Sequence, residues 1–219
     1  MKRQGILWVL LLLLASSLIG GCALSKEGTD VLTYSGVTEV SVAPGEFVPG
    51  TRIQYVGQDE QGARVLIDGQ ELIRKLGDSL IWEGKVTDGV DLKVKLRVLH
   101  IAEKRLVTSG LVTLRVHHPN PQPAAVDESR PVRYTLPVTY KVSKGKCIPG
   151  TLVCYEGPEE GKGARLSGVE GYPYRALGDS ILWQGTLLPN ADLSLNVRVL
   201  FYNDSFLQVL GTATVGVTP

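Results

Sequence analysis

The chain contains the same segment twice, and this limits its fold more than any other feature. Val48-Pro49-Gly50-Thr51 and the following Tyr55 and Gly57 recur about 100 residues later as Ile148-Pro149-Gly150-Thr151, Tyr155 and Gly157. Gly62-Ala63-Arg64 answers Gly163-Ala164-Arg165 after one inserted residue, and Leu76-Gly77-Asp78-Ser79-Leu80-Ile81-Trp82 answers Leu177-Gly178-Asp179-Ser180-Ile181-Leu182-Trp183. Asp91-Leu92 and Arg97-Val98-Leu99 return as Asp192-Leu193 and Arg198-Val199-Leu200. About a third of the ungapped positions are identical, so the chain carries two copies of one unit. The copies span residues 31–118 and 131–219. Residues 119–130, with Pro119, Pro121 and Pro123 alternating, predict an extended polyproline-type linker. A linker of that kind implies few contacts between the copies, each of which is then expected to fold alone.

Each copy reads as all-β. In 91–99, Leu92, Val94, Leu96 and Val98 fall on one side and Lys93, Lys95 and Arg97 on the other. The second copy alternates in the same way, with Leu193, Leu195, Val197 and Val199 set against Ser194, Asn196 and Arg198. Pro49-Gly50, Gly77-Asp78, Asp88-Gly89 and Pro189-Asn190 mark turns, and helical periodicity is absent after the first 21 residues. Short, evenly spaced strands in a unit of about 88 residues predict a β-sandwich.

The N-terminus carries an address. Lys2 and Arg3 precede an apolar run from Ile6 to Ile19, long enough for a signal-peptide core and short for a membrane span. The run ends in Ile19-Gly20-Gly21-Cys22, which resembles the lipobox of bacterial lipoproteins. The resemblance implies a signal peptide over residues 1–21 and a diacylglyceryl thioether on Cys22, which becomes the mature N-terminus. Residues 22–30 form a short polar tether. The expected partner is then a membrane, reached through lipid, and the expected location extracytoplasmic, on the cell membrane or the outer membrane. Ala23, being non-acidic, favours the outer membrane in a host that has one. Nucleic acid is not an expected partner: the formal net charge is +1 and lies near zero in each half, leaving no basic face.

The strand-and-turn order of each copy is similar to the immunoglobulin-like conserved-repeat domains, of no defined biochemical function, that occur in tandem in bacterial surface proteins. The residues that carry the likeness are Val42-Ala43-Pro44-Gly45 leading to Tyr55, Val142 leading to Tyr155, the Trp183 strand with its Leu188-Pro189-Asn190 turn, and the closing Thr212-Ala213-Thr214-Val215. The resemblance implies two tandem Ig-like sandwiches that act as spacer or adhesive modules.

Candidate chemistry is sparse. Gly77-Asp78-Ser79-Leu80 spells the nucleophile block of GDSL hydrolases, but that family needs a later Asp-x-x-His to activate the serine. No such motif occurs here, and the second copy has no histidine. These residues are expected to form a turn, with Asp and Ser bonding to the local backbone. No catalytic residue, metal ligand or cofactor is therefore assigned. Trp82 and Trp183 share the phase of the apolar set and are expected in the core. Asp78, Asp179, Asp91 and Asp192 are too scattered for calcium and are read as turn caps. His117 and His118, being adjacent on a strand, point to opposite faces and make a poor metal pair. The Lys93, Lys95, Arg97 stripe reads as a solvated face.

Two features belong to the second copy alone. Tyr172, Tyr174, Phe201 and Tyr202 stand where the first copy has Glu71, Ile73, His100 and Ile101. They are candidate ligand-facing aromatics for a glycan or peptidoglycan, or for a protein partner. Cys147 and Cys154 replace Phe47 and Gln54 as a pair, flanking Pro149-Gly150, and a disulfide between them requires the chain to reverse there. A two-residue turn would instead set Cys147 opposite Leu152.

Overall fold

A computed structural model describes residues 30–219. The signal peptide, Cys22 and the tether up to residue 29 lie outside the described residues. The described chain is all-β: β1 (Val31–Val42), β2 (Ile53–Gln58), β3 (Ala63–Ile67), β4 (Gln70–Arg74), β5 (Ser79–Thr87), β6 (Val90–Ala102), β7 (Arg105–His117), β8 (Gln122–Pro123), β9 (Val132–Ser143), β10 (Cys154–Glu159), β11 (Gly163–Ser167), β12 (Tyr174–Arg175), β13 (Ser180–Leu188), β14 (Ala191–Tyr202) and β15 (Phe206–Val217).

The first half forms a four-stranded sheet ordered β1-β7-β6-β5 and a three-stranded sheet ordered β2-β3-β4. The second forms a five-stranded sheet ordered β8-β13-β14-β15-β9 and a three-stranded sheet ordered β10-β11-β12. Period-2 alternation decides which face of each strand is buried. Leu92, Val94, Leu96 and Val98 of β6 are buried, as are Leu193, Leu195, Val197 and Val199 of β14. The apolar faces of β2 and β3, with Ile53, Tyr55, Ala63 and Val65, complete the core of the first half. Tyr55 donates to the Ala102 carbonyl at 3.0 Å and Tyr155 to the Asn203 carbonyl at 2.7 Å, tying each small sheet to its larger neighbour. Trp82 and Trp183 are buried, as their phase requires.

The Pro-Gly turns are built alike in both halves. Thr51 Oγ1 donates to the Val48 carbonyl and accepts from Ile53 N, and Thr151 makes the same pair of bonds with Ile148 and Val153. Ile148 N donates to the Val153 carbonyl, so four residues turn the chain rather than two. That register sets Cys147 opposite Cys154, not Leu152. Their sulfurs are bonded and their Cα atoms stand 3.7 Å apart. Closing so short a ring removes about 2.5 kcal/mol of unfolded-state entropy.

The halves do not stand apart on a spacer. Edge strands β1 and β9 lie against each other, with Gly36 beside Pro137. Pro137 has no N–H, which denies that contact one rung of a ladder. The contacts across the junction are reciprocal. Gly50 in the first turn lies under Val132 of the second half, and Gly150 in the second turn lies under Leu32 and Tyr34 of the first. The loop over Thr87, Asp88 and Gly89 meets its own repeat counterpart: Asn190 Nδ2 donates to Thr87 Oγ1 at 3.0 Å, and Leu188 sits over Gly89. When residue i touches j and the counterpart of j touches the counterpart of i, the two bodies are related by an approximate two-fold. Both Gly50 and Gly150 have positive φ, and a Cβ on either would come within 3 Å of the opposite half.

The linker is pinned as well. Gln122 and Pro123 add to the edge of β13, and Asn120 N donates to the Leu187 carbonyl at 2.8 Å. Arg130 Nε meets Asp192 Oδ2 at 2.7 Å, with side chains 11% and 2% exposed. Asp127 N donates to the same oxygen. The expectation of few cross-boundary contacts fails here, because hydropathy along one chain does not show which face a second body covers.

Tyr34 and Tyr134 are repeat counterparts buried at this junction. Tyr134 donates to the Pro49 carbonyl at 2.7 Å, whereas the Tyr34 hydroxyl has no partner among the described residues. Tyr134→Phe is expected to cost about 1–2 kcal/mol by leaving that carbonyl unpaired, and Tyr34→Phe to be neutral or stabilising. Burial raises the pKa of both phenols, and Tyr140 adds to the effect at Tyr34. The stability they contribute is therefore intact below the ordinary tyrosine value of about 10 and lost as pH rises through the folded values. Urea titrations at pH 8 and pH 11 check this: the fall at alkaline pH should be smaller in the double Phe variant.

Candidate functional site

The second half departs from the first most at one end of its small sheet. An open cleft of about 640 Å³ is lined by residues 158–163 of the β10–β11 hairpin, by Ala176 and by Tyr202 at the end of β14. The hairpin carries the one residue inserted relative to its counterpart in the first half.

Polar groups organise the hairpin side. Glu159 Oε1 meets Lys162 Nζ at 2.6 Å, and Tyr174 donates its hydroxyl to Glu159 Oε2 at 2.6 Å. Lys162 Nζ also stands 5.1 Å over the Tyr174 ring. The bond from Lys162, followed by that from Tyr174, holds the Glu159 carboxyl below its usual range. Glu159 in turn raises both Lys162 and Tyr174. The trio therefore presents a carboxylate and an ammonium group at neutral pH, each with hydrogen-bonding capacity left for a ligand.

The aromatic residues singled out from the sequence do not form one platform. Tyr172 and Tyr174 pair, with ring centroids 5.2 Å apart, and Tyr172 is 64% exposed. Tyr202 is half-buried in the cleft wall. Phe201 precedes Tyr202 on the same strand and so points to the other face. It packs 5.6 Å from Phe206, whose ring lies under Lys141. The face of Tyr174 is already taken by Lys162, which leaves Tyr172 and Tyr202 as the available stacking surfaces. Glu159 and Lys162 escaped notice in the sequence. The insertion was the one signal that marked them, since side chains on a hairpin tip carry no periodicity.

Asp78 Oδ2 accepts from Lys75 N and Asp179 Oδ2 from Ala176 N, so both cap the turn they sit in. Gly77 takes a positive φ there, and Ser79 opens β5. Asp91 and Asp192 are not turn caps. They sit near the starts of β6 and β14, where Asp91 meets His117 Nε2 at 2.8 Å and Asp192 meets Arg130. A carboxylate so placed serves a cross-strand or linker partner, a relation that spacing along the chain does not reveal. His118 pairs with Asp30 at 3.1 Å. On the basic stripe, Lys93 pairs with Glu83 and Arg97 donates to the Gly77 carbonyl, while Lys95 projects from the same strand face.

The chain matches no protein-family model, no curated protein and no solved structure.

Proposed function

We propose that the protein is a non-catalytic cell-envelope lipoprotein, a binding or adhesive module of two Ig-like halves held at a membrane through lipid on Cys22. The observation that carries this reading is the reciprocal junction between the halves. A free linker would suit a spacer that gains reach, whereas a pinned linker and a buried two-fold contact give one stiff body suited to presenting a surface. The non-catalytic part rests on Ser79, which pairs with Arg97, whereas His117 meets Asp91, six residues away along β6 and out of reach of the serine. The envelope location rests on the sequence from Lys2 to Cys22. Cys22→Ser is expected to abolish incorporation of a fatty-acid analogue in metabolic labelling and to move the protein from the detergent to the aqueous fraction. Undiminished label on the variant would sink the lipoprotein reading.

A glycan or peptidoglycan ligand is favoured by one specific observation: Tyr202, one of the aromatic residues that the first half lacks, and the hairpin with the inserted residue line the same cleft. Tyr202 offers a ring in the cleft, the exposed Tyr172 offers another beside Tyr174, and Glu159 and Lys162 offer an acceptor and a donor, the pairing that a polyhydroxylated ring requires. Mature protein incubated with purified peptidoglycan should co-sediment, and the Tyr172→Ala, Tyr202→Ala double variant should lose at least tenfold in affinity. Equal sedimentation of both, or of neither, would leave the protein-partner reading in place.

A further inference from the structure

The two large sheets differ at one edge. In the second half β13 is covered by β8, and Gly185 and Leu187 on it are buried. In the first half the counterpart β5 is the bare edge of its sheet, and Gly84 and Val86 are part-exposed. Beside β5 runs a groove of about 570 Å³, whose wall includes Trp82, Lys85, Val86 and Val132. A bare edge offers a row of unpaired N–H and C=O groups to any extended strand.

The segment that covers β13 is the stretch leading into the second half, and a stretch of equal length leads into the first. Residues 22–30 and 122–130 both lead into the first strand of a half, although they share no identical residue. Asp127 accepts from Ser129 N and Ser129 Oγ, a turn that lets the linker double back to β13. Glu27 and Thr29 stand 100 residues before that pair and are of the same chemical types. The two stretches also leave equivalent places: Asp30 is bound to His118 and Arg130 to Thr218, each at the end of the last strand of its half. From Arg130 back to Gln122 the linker spans eight residues to reach β13, and the same eight residues separate Asp30 from Cys22.

We propose that residues 22–25 dock as an added strand on the open edge of β5, as Gln122 and Pro123 do on β13. The occupant is the chain's own N-terminal segment, because its length and its exit point beside His118 suit this edge. The register follows from the second half. Thr186, the repeat counterpart of Lys85, lies opposite Gln122, and Cys22 stands as far before Asp30 as Gln122 does before Arg130. The anchor-bearing end is thereby held against the first half, and the β5 edge faces the membrane.

The test uses unlipidated mature chain beginning at Cys22. Lys85→Cys is placed in it, with Cys147 and Cys154 left bonded to each other. Lys85 is 59% exposed, so its replacement leaves the core intact. In a glutathione redox buffer, an intramolecular disulfide between residues 22 and 85 should form at least tenfold faster than in a Lys104→Cys control at the far β6–β7 turn. Equal rates in the two variants would overturn the proposal. So would a cross-link found only between chains, which would mean that a second copy takes the edge. A second measurement is hydrogen exchange of residues 83–87, which should be slower in the chain starting at Cys22 than in one starting at Asp30. Identical exchange would also overturn it. Neither readout depends on lipidation or on glycan binding, so failure here is distinguishable from failure of the functional reading.

Discussion

Expressed without the rest of the chain, residues 30–118 should not behave as a stable monomer. Leu32, Tyr34 and the Gly50 turn would face water, and fully exposing a large apolar side chain costs about 1.5–3 kcal/mol. Several such residues amount to a large part of the 5–15 kcal/mol that holds a typical domain together. Because the junction is self-complementary, the expected escape is association. The isolated first half should sediment as a dimer, or unfold well below the full chain. Mixed with residues 119–219, it should give a one-to-one complex that restores cooperative unfolding. Sedimentation velocity and urea titration of the separate and mixed halves check this. A monomeric first half with the denaturation midpoint of the full chain would show that the junction contributes little.

Asp192→Ala should be the most damaging exchange of a single polar residue. Its carboxylate is buried and receives Arg130 Nε and Asp127 N on one oxygen. Removing it leaves a guanidinium that is 11% exposed without its counter-charge, with only the neutral acceptors Thr218 Oγ1 and the Pro189 carbonyl still bonded to it, and frees the linker from β14. Breaking a buried pair from one side costs about 3–5 kcal/mol. The repeat supplies an internal control. Asp91, its counterpart, pairs with His117 where both side chains are more than a third exposed. An exposed pair of that kind is worth about 1 kcal/mol or less, so Asp91→Ala should be mild. Chemical denaturation of the two variants side by side tests the contrast, and equal losses would show that burial does not set the difference.

Much of the fold was legible because strands advertise themselves one at a time. Alternation in 91–99 gave the buried face of β6, and the phase of Trp82 placed it inside. The Asp78 turn could be recognised because its partners lie within three residues. Contacts made across space were not legible. Nothing near Asp192 names Arg130, which comes 62 residues earlier, and nothing near Gly150 names Tyr34. The linker misled for a related reason. Alternating prolines favour extension, but an extended chain beside an open sheet edge becomes an added strand. In the second half, the aromatic residues stood out because one copy could be compared with the other. Glu159 and Lys162 acquire meaning only from the hairpin that turns them toward each other and toward Tyr174.

The reciprocal junction has the form that two identical chains make when they pair, with both sides supplied here by one polypeptide. Joined partners cannot be separated by dilution, since their effective concentration is set by the connecting segment and not by expression level. Fusion also removes the demand for identity. In a pair of identical chains, a substitution that builds a cleft on one side builds it on the other, and every change at the contact is felt twice. Here Tyr134 keeps a hydrogen bond that Tyr34 lacks, and the hairpin with Glu159 and Lys162 has no equal in the first half. Division of labour between the two sides, one next to the N-terminal end and the other bearing the cleft, is open to a fused pair and closed to a symmetric one.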